Sequence, residues 1–128
     1  MSEVYVIGTA CTAFGKFPDL SFRDLTAMAW KDVFADSGLE DPARLDSAWF
    51  GNCGMGTFGQ RNIRGQVCLT PLIREGLFPE RIGIMNVEGG CATASQAFQG
   101  AWKDILSGES QVALAIGVEK TFFPGDAA

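Results

Sequence analysis

Residues 86–94 read Asn86-Val87-Glu88-Gly89-Gly90-Cys91-Ala92-Thr93-Ala94, and the fold class turns on how this stretch is read. Just upstream, Ile82 to Val87 is a short β-rich run. Downstream, Ala94, Ala97, Phe98, Ala101, Trp102 and Ile105 recur at helical spacing, Gln99, Lys103 and Asp104 lie off that stripe, and Gly108 supplies a stop. The two glycines between run and stripe permit a tight turn, so a strand passes directly into a helix with a lone cysteine at the elbow. There the unpaired backbone N–H groups and the helix macrodipole both favour a negative sulfur. Cys91 therefore reads either as a nucleophile with an oxyanion-binding amide, its own N–H, beside it, or as a small apolar side chain that helps the helix pack.

Working outward, the same alternation repeats. Val4 to Gly8 is a β-rich apolar run that suits a strand buried on both faces. Ser21-Phe22-Arg23-Asp24 has the form of a capping box, and Phe22, Leu25, Ala29 and Val33 then recur at helical spacing until Gly38. Ser47 to Gly51 reads as the next buried strand and opens into the glycine-rich stretch Asn52 to Gln60. A helical segment follows from about Arg61 to Glu75; Pro71 within it predicts a kink, or a restart with Thr70 and Pro71 as N-cap and first residue. A last strand is expected over Gln111 to Val118. Strands alternating with helices predict an α/β fold with a mostly parallel sheet and flanking helices.

Composition bounds the chemistry. The chain has 128 residues, and 33 of them are Val, Ile, Leu or Phe, enough for the core of one small soluble domain. The net charge of −5 offers no basic surface, which argues against nucleic acid and anionic membranes as partners. With no histidine, the chain alone cannot build a Cys-His pair or an imidazole-ligated metal site. The cysteines at 11, 53, 68 and 91 show no C-x-x-C spacing, so no metal is expected, and they read as free thiols in a reducing compartment, the cytoplasm. No signal peptide or membrane span is expected, the longest apolar run being Val112 to Val118.

Other candidate features have plainer readings. Gly54-Met55-Gly56-Thr57-Phe58-Gly59 spells G-x-G-x-x-G, but the acid about 20 residues on, Glu80, falls in a Leu-Phe-Pro-Glu-Arg turn. The stretch therefore reads as a flexible or interface loop, not a dinucleotide site. Cys11, Cys53 and Cys68 read as inert. Glu88 and Glu119 sit near strand ends, and read as solvated or structural. Trp30, Trp49 and Trp102 read as core or interface packing.

Taken together, the order and spacing of these segments resemble the N-terminal half of the thiolase family over nearly the whole chain. The resemblance is closest to the sterol-carrier-protein-linked thiolases and the acetyl-CoA acetyltransferase-like proteins. It rests on Val4 to Gly8, Phe50-Gly51-Asn52, Ile63-Arg64-Gly65-Gln66, the Asn86 to Ala92 elbow, and Ala113-Leu114-Ala115-Ile116-Gly117-Val118-Glu119-Lys120. It implies one half of an αβαβα layered fold, with residues 1–128 an incomplete N-terminal domain that stops before the last strand of its sheet. Phe122 and Phe123 would then be left as exposed apolar surface. It also implies that Cys91 is the residue acylated by an acyl-CoA. Coenzyme A thioester would be a substrate, with no bound cofactor.

The same resemblance implies missing parts. The family's coenzyme A loop region, second half, Gly-His-Pro histidine, Asn-Glu-Ala-Phe segment and Cys-x-Gly cysteine have no counterpart in this sequence. The missing C-terminal half or a companion subunit is thus an expected partner. A homo-oligomer and a small zinc-ribbon and OB-fold partner protein are also implied. The elbow departs from the family's Cys-Ala-Ser-Gly by reading Cys91-Ala92-Thr93-Ala94, which bears on substrate size and interface packing. Two alternatives stay open: ketosynthase-like acyl transfer, and a non-catalytic thiolase-like assembly subunit.

Overall fold

The computed structural model describes residues 3–122. Helix α1 (Phe22–Ser37) is followed by strand β1 (Ser47–Gly51), helix α2 (Arg64–Arg74), strand β2 (Gly83–Val87), helix α3 (Thr93–Ser107) and strand β3 (Ala113–Gly117). The three strands form one parallel sheet in the order β2-β1-β3, with Ser47 beside Gly83 and Ala113 and Gly51 beside Val87 and Gly117. The chain steps from β1 out to β2, then back across β1 to β3. Parallel crossovers are right-handed, so two crossovers in opposite directions place their helices on opposite faces.

On one face, Ala48 and Phe50 of β1 and Leu114 and Ile116 of β3 point toward α1 and α2, and close a core with Trp30, Leu69, Leu72 and Phe78. Burying a side chain such as Phe50, which is fully inaccessible, stabilises by roughly 1.5–3 kcal/mol. Trp30 stacks edge-on against Phe78 at 4.9 Å, and its indole N–H donates to the Leu77 carbonyl at 2.8 Å. The capping box is present as read: Ser21 Oγ accepts from the Asp24 amide at 3.1 Å, while the Asp24 carboxylate accepts from the Ser21 amide at 2.8 Å. Gly38 ends α1 in the left-handed conformation.

On the other face, α3 approaches the sheet through small residues. A Cβ at Gly100 would lie 2.3 Å from the Trp49 indole, so only glycine lets the helix backbone sit this close. Below that contact, the Asp104 carboxylate accepts from the Trp49 indole N–H and from Ser47 Oγ, both at 2.8 Å, and Ser110 Oγ donates to Ser47 Oγ at 2.9 Å. Buried polar groups are thereby satisfied beside the aromatic ring.

Four expectations change. The Val4 to Gly8 segment forms no strand: it pairs with neither edge of the sheet and runs past the end of α1, where the Thr9 amide donates to Asp36 at 2.8 Å. Tyr5, Val6 and Ile7 are exposed. The aromatic members of the α3 stripe, Phe98 and Trp102, are also exposed, because the face turned to the sheet is Thr93, Ala97, Gly100 and Ala101, which packs closer. Pro71 neither stops nor restarts α2, which continues from Arg64 to Arg74 around it. Phe122 is half-buried with the Lys16 ammonium 4.7 Å from its ring centre, and Phe123 lies outside the described residues.

Gly100→Ala is expected to push the indole of Trp49 off its seat and cost about 1–3 kcal/mol. Urea unfolding followed by tryptophan fluorescence reads this as a lower midpoint; an unchanged midpoint would contradict the contact.

Candidate active site

In open α/β sheets, ligands bind beyond the carboxyl ends of the strands where the strand order reverses. Here those ends are Asn52 and Cys53 after β1, Glu88 after β2, and Val118 and Glu119 after β3. Hydrogen bonds lace the three together. Asn52, fully buried, donates its side-chain amide to the Val118 carbonyl at 2.6 Å, and its side-chain oxygen accepts from the Met55 amide at 2.9 Å. Arg64 donates to the Asn52 carbonyl.

Glu119 returns from β3 and caps the one-and-a-half-turn 3-10 helix Gly54–Phe58, accepting from the amides of Cys53 and of Gly54, the latter at 3.0 Å. This settles the G-x-G-x-x-G stretch in physical terms. Its first amides, the ones a phosphate would need, are already taken by a carboxylate, and Gly54–Phe58 forms a 3-10 helix.

The elbow after β2 is a single 3-10 turn, Gly90–Ala92, leading into α3. Gly90 has φ +57°, a left-handed conformation that favours glycine. Thr93 clamps the turn from inside, its hydroxyl donating to the Gly90 carbonyl at 2.7 Å and accepting from the Gly89 amide at 2.9 Å. The Thr93 methyl faces β1, where a Cβ on Gly51 would meet it at 3.0 Å. Glu88 holds the turn from outside, its carboxylate accepting from the Gly90 amide at 2.8 Å and from the Cys53 thiol at 3.3 Å. Cys91 stands in this turn, exposed to solvent.

A cleft of about 190 Å³ opens beside the elbow between β2 and the start of α2, lined among others by Asn52, Arg61, Arg64, Asn86 and Glu88. Asn86 closes its floor by accepting from the Gly65 amide at 2.6 Å, so a side chain from β2 caps α2. The residue in the N-cap position, Ile63, has φ +46° and makes no side-chain cap of its own.

Of the four cysteines, Cys91, Cys53 and Cys11 are exposed and Cys68 is buried; none forms a disulfide. Burial pushes the Cys68 thiol up, in keeping with an inert role. Glu88 and Glu119, read as solvated or structural, each accept backbone amides, and the plain reading of Cys53 missed its contact. The Cys53 hydrogen bond to Glu88 is the main reason its thiol is raised above the usual range, with burial and the charges of Glu88 and Glu119 adding and Arg64 opposing. Glu88 is held below the usual carboxylate range, first by the Gly90 amide and then by the Cys53 thiol. Among the described residues, no three Cys, Asp or Glu side chains converge as a metal site would require, and no helix is long and apolar enough to cross a membrane.

The tether between Cys53 and Glu88 is complete at neutral pH and is lost on both sides. On the acid side, Glu88 protonates as pH falls through its depressed folded value; on the alkaline side, Cys53 ionises as pH rises through its raised one. Glu88→Gln removes the charge that disfavours the Cys53 thiolate. It is expected to shift the pH–rate profile of Cys53 alkylation to lower pH, measured by peptide mass spectrometry; a profile that stays put would contradict the contact.

Comparison with known proteins bears on what this elbow serves. Residues 4–121 match the sequence pattern described as thiolase, N-terminal domain. The acetyl-CoA acetyltransferase of Methanothermobacter thermautotrophicus is 35% identical over 122 residues, covering 94% of this chain and 30% of the relative. That of Methanocaldococcus jannaschii is 34% identical, covering 94% of this chain and 29% of its own length. The benzoylsuccinyl-CoA thiolase subunit BbsB of Thauera aromatica is 32% identical, covering 91% of this chain and 28% of that subunit. The chain thus spans about 30% of the length of the curated relatives it matches. On a match that runs through all three strands and the cysteine-bearing elbow, the chain belongs to the thiolase family, in its N-terminal domain.

Proposed function

We propose that this chain is the N-terminal part of an acyl-CoA acyltransferase in which Cys91 carries the acyl group. The observation that carries the reading is the placement of Cys91: solvent-exposed, in the turn between the carboxyl end of β2 and the start of α3. A sulfur there meets the positive end of the helix, beside its own backbone amide. In this reading the Cys91 thiolate attacks the thioester carbonyl carbon and a C–S bond forms. The tetrahedral intermediate's oxygen is held by the Cys91 amide with a second donor from the missing half, and collapse breaks the old C–S bond and releases coenzyme A as its thiolate, which takes up a proton. In the condensing direction the acyl group then passes to the carbanion of a second acyl-CoA, forming a carbon–carbon bond. In the degradative direction Cys91 instead attacks the 3-keto carbon of a 3-ketoacyl-CoA, the C2–C3 bond breaks as acetyl-CoA leaves as its carbanion and is protonated, and the acyl group passes to a coenzyme A thiol.

The chain contains no histidine, so a histidine that takes the Cys91 proton would come from the remainder of the enzyme or from a companion subunit. The names of the acetyl-CoA acetyltransferase relatives support an acyl-CoA as substrate. Oligomerisation and a zinc-ribbon and OB-fold partner remain part of the same proposal.

Denaturing mass spectrometry of the whole protein that carries this chain, after brief exposure to acetyl-CoA, is expected to show one acetyl group on the peptide holding Cys91. Cys91→Ala is expected to leave the fold unchanged and abolish the adduct. An acetyl group that persists in this variant, or that maps to Cys53, would overturn the assignment.

A further inference from the structure

We infer that Cys53 and Glu88 are positioning residues for Cys91, the Cys53 thiol acting as a fixed hydrogen-bond donor that ties the nucleophile's elbow to the end of the central strand. The inference rests on the assignment of Cys91 as nucleophile. Its basis is a chain of contacts that runs in one direction. Glu119 fixes the backbone at Cys53 and Gly54 from β3. The Cys53 thiol, so placed, reaches Glu88 at 3.3 Å, and the same Glu88 oxygen accepts the Gly90 amide at 2.8 Å. Gly90 is the left-handed residue directly before Cys91.

The Cys53 thiol is the side chain through which β1, held in the sheet on both edges, grips that oxygen. The hydroxyl of Thr93 bonds only within the turn itself; without Cys53 the Glu88 carboxylate keeps the Gly90 amide but loses its hydrogen bond to the end of β1. Four charged or titratable groups meet here from three strand ends and α2: Cys53, Glu88 and Glu119, with Arg64 opposing the two carboxylates. A thiol surrounded in this way stays protonated at neutral pH, as a donor must, while Cys91 is the sulfur left open to an incoming thioester.

The test uses the whole protein, with two readouts taken on wild type, Cys53→Ala, Cys53→Ser and Glu88→Gln. The first is the rate of Cys91 alkylation by iodoacetamide, followed on its own peptide; the second is the steady-state transfer of acetyl from acetyl-CoA. Displacing a nucleophile by a fraction of an ångström is expected to lower kcat about ten- to a hundred-fold, with KM within about two-fold because ground-state binding is untouched. Cys53→Ala should show that split together with a changed Cys91 alkylation rate. Cys53→Ser, which keeps a donor to Glu88, should restore most of both, and Glu88→Gln, which keeps an acceptor without the charge, should fall between. Wild-type rates in Cys53→Ala, or failure of serine to rescue, would overturn the positioning role while leaving the nucleophile in place. A wild-type protein that takes no acetyl on Cys91 would overturn both.

Discussion

Two of the helices that flank the sheet, α2 and α3, are let onto the central strand by a missing side chain. At Gly100 the α3 backbone rests on the Trp49 indole, and at Gly65 a Cβ would lie 2.7 Å from the Cβ of Phe50 and 2.8 Å from Ile84. Alternating residues of one five-residue strand thus receive a helix on each face, and β1 is clamped between them. Interiors packed this tightly transmit displacement instead of absorbing it. The depth at which α2 and α3 sit is therefore set by β1, and with it the height at which the start of each helix meets the strand ends. The lacing at the carboxyl ends depends on that depth, since hydrogen bonds of 2.6 to 3.3 Å tolerate little slack.

The lacing itself is made largely of amides and carboxylates. Glu119, Glu88 and the Asn86 side chain each accept backbone N–H groups at the start of a turn or helix. A negative or partly negative oxygen at such a place is favoured by the exposed amides and by the helix dipole. The arrangement fills amide-rich positions at the strand ends, those of the turn beside Cys91 included, with the chain's own oxygens.

Much of the fold was legible because its signals are local. The run Ser47 to Gly51, the Ser21 and Asp24 box, and the glycines at 38 and 108 each act within a few residues, and each element lies where its signal stands. Val4 to Gly8 shows the limit of such signals: β-branched composition expresses a preference, but a strand needs an edge to pair with, and that is a property of distant residues. Helical spacing on α3 correctly predicted a helix, yet it picked the larger residues for the buried face when the close approach of Gly100 to Trp49 selects the smaller ones. In the site, the Gly-Gly-Cys turn was legible from its own residues. The roles of Asn52, Cys53 and Asp104 were not, since their partners are 35 to 66 positions away. A polar residue directly after a buried strand, as at Asn52, and a carboxylate on the helix that crosses a strand serine, as at Asp104, are the traces that could have drawn attention to them.

Thr93 does two jobs with two ends of one side chain, and this ties it to Gly51. Its hydroxyl closes the elbow, while its methyl occupies the space a Cβ at position 51 would need. The two positions are thereby coupled through space: alanine at 51 would be met most easily with serine at 93, which keeps the hydroxyl and gives up the methyl, whereas with threonine at 93 the methyl must yield by a few tenths of an ångström.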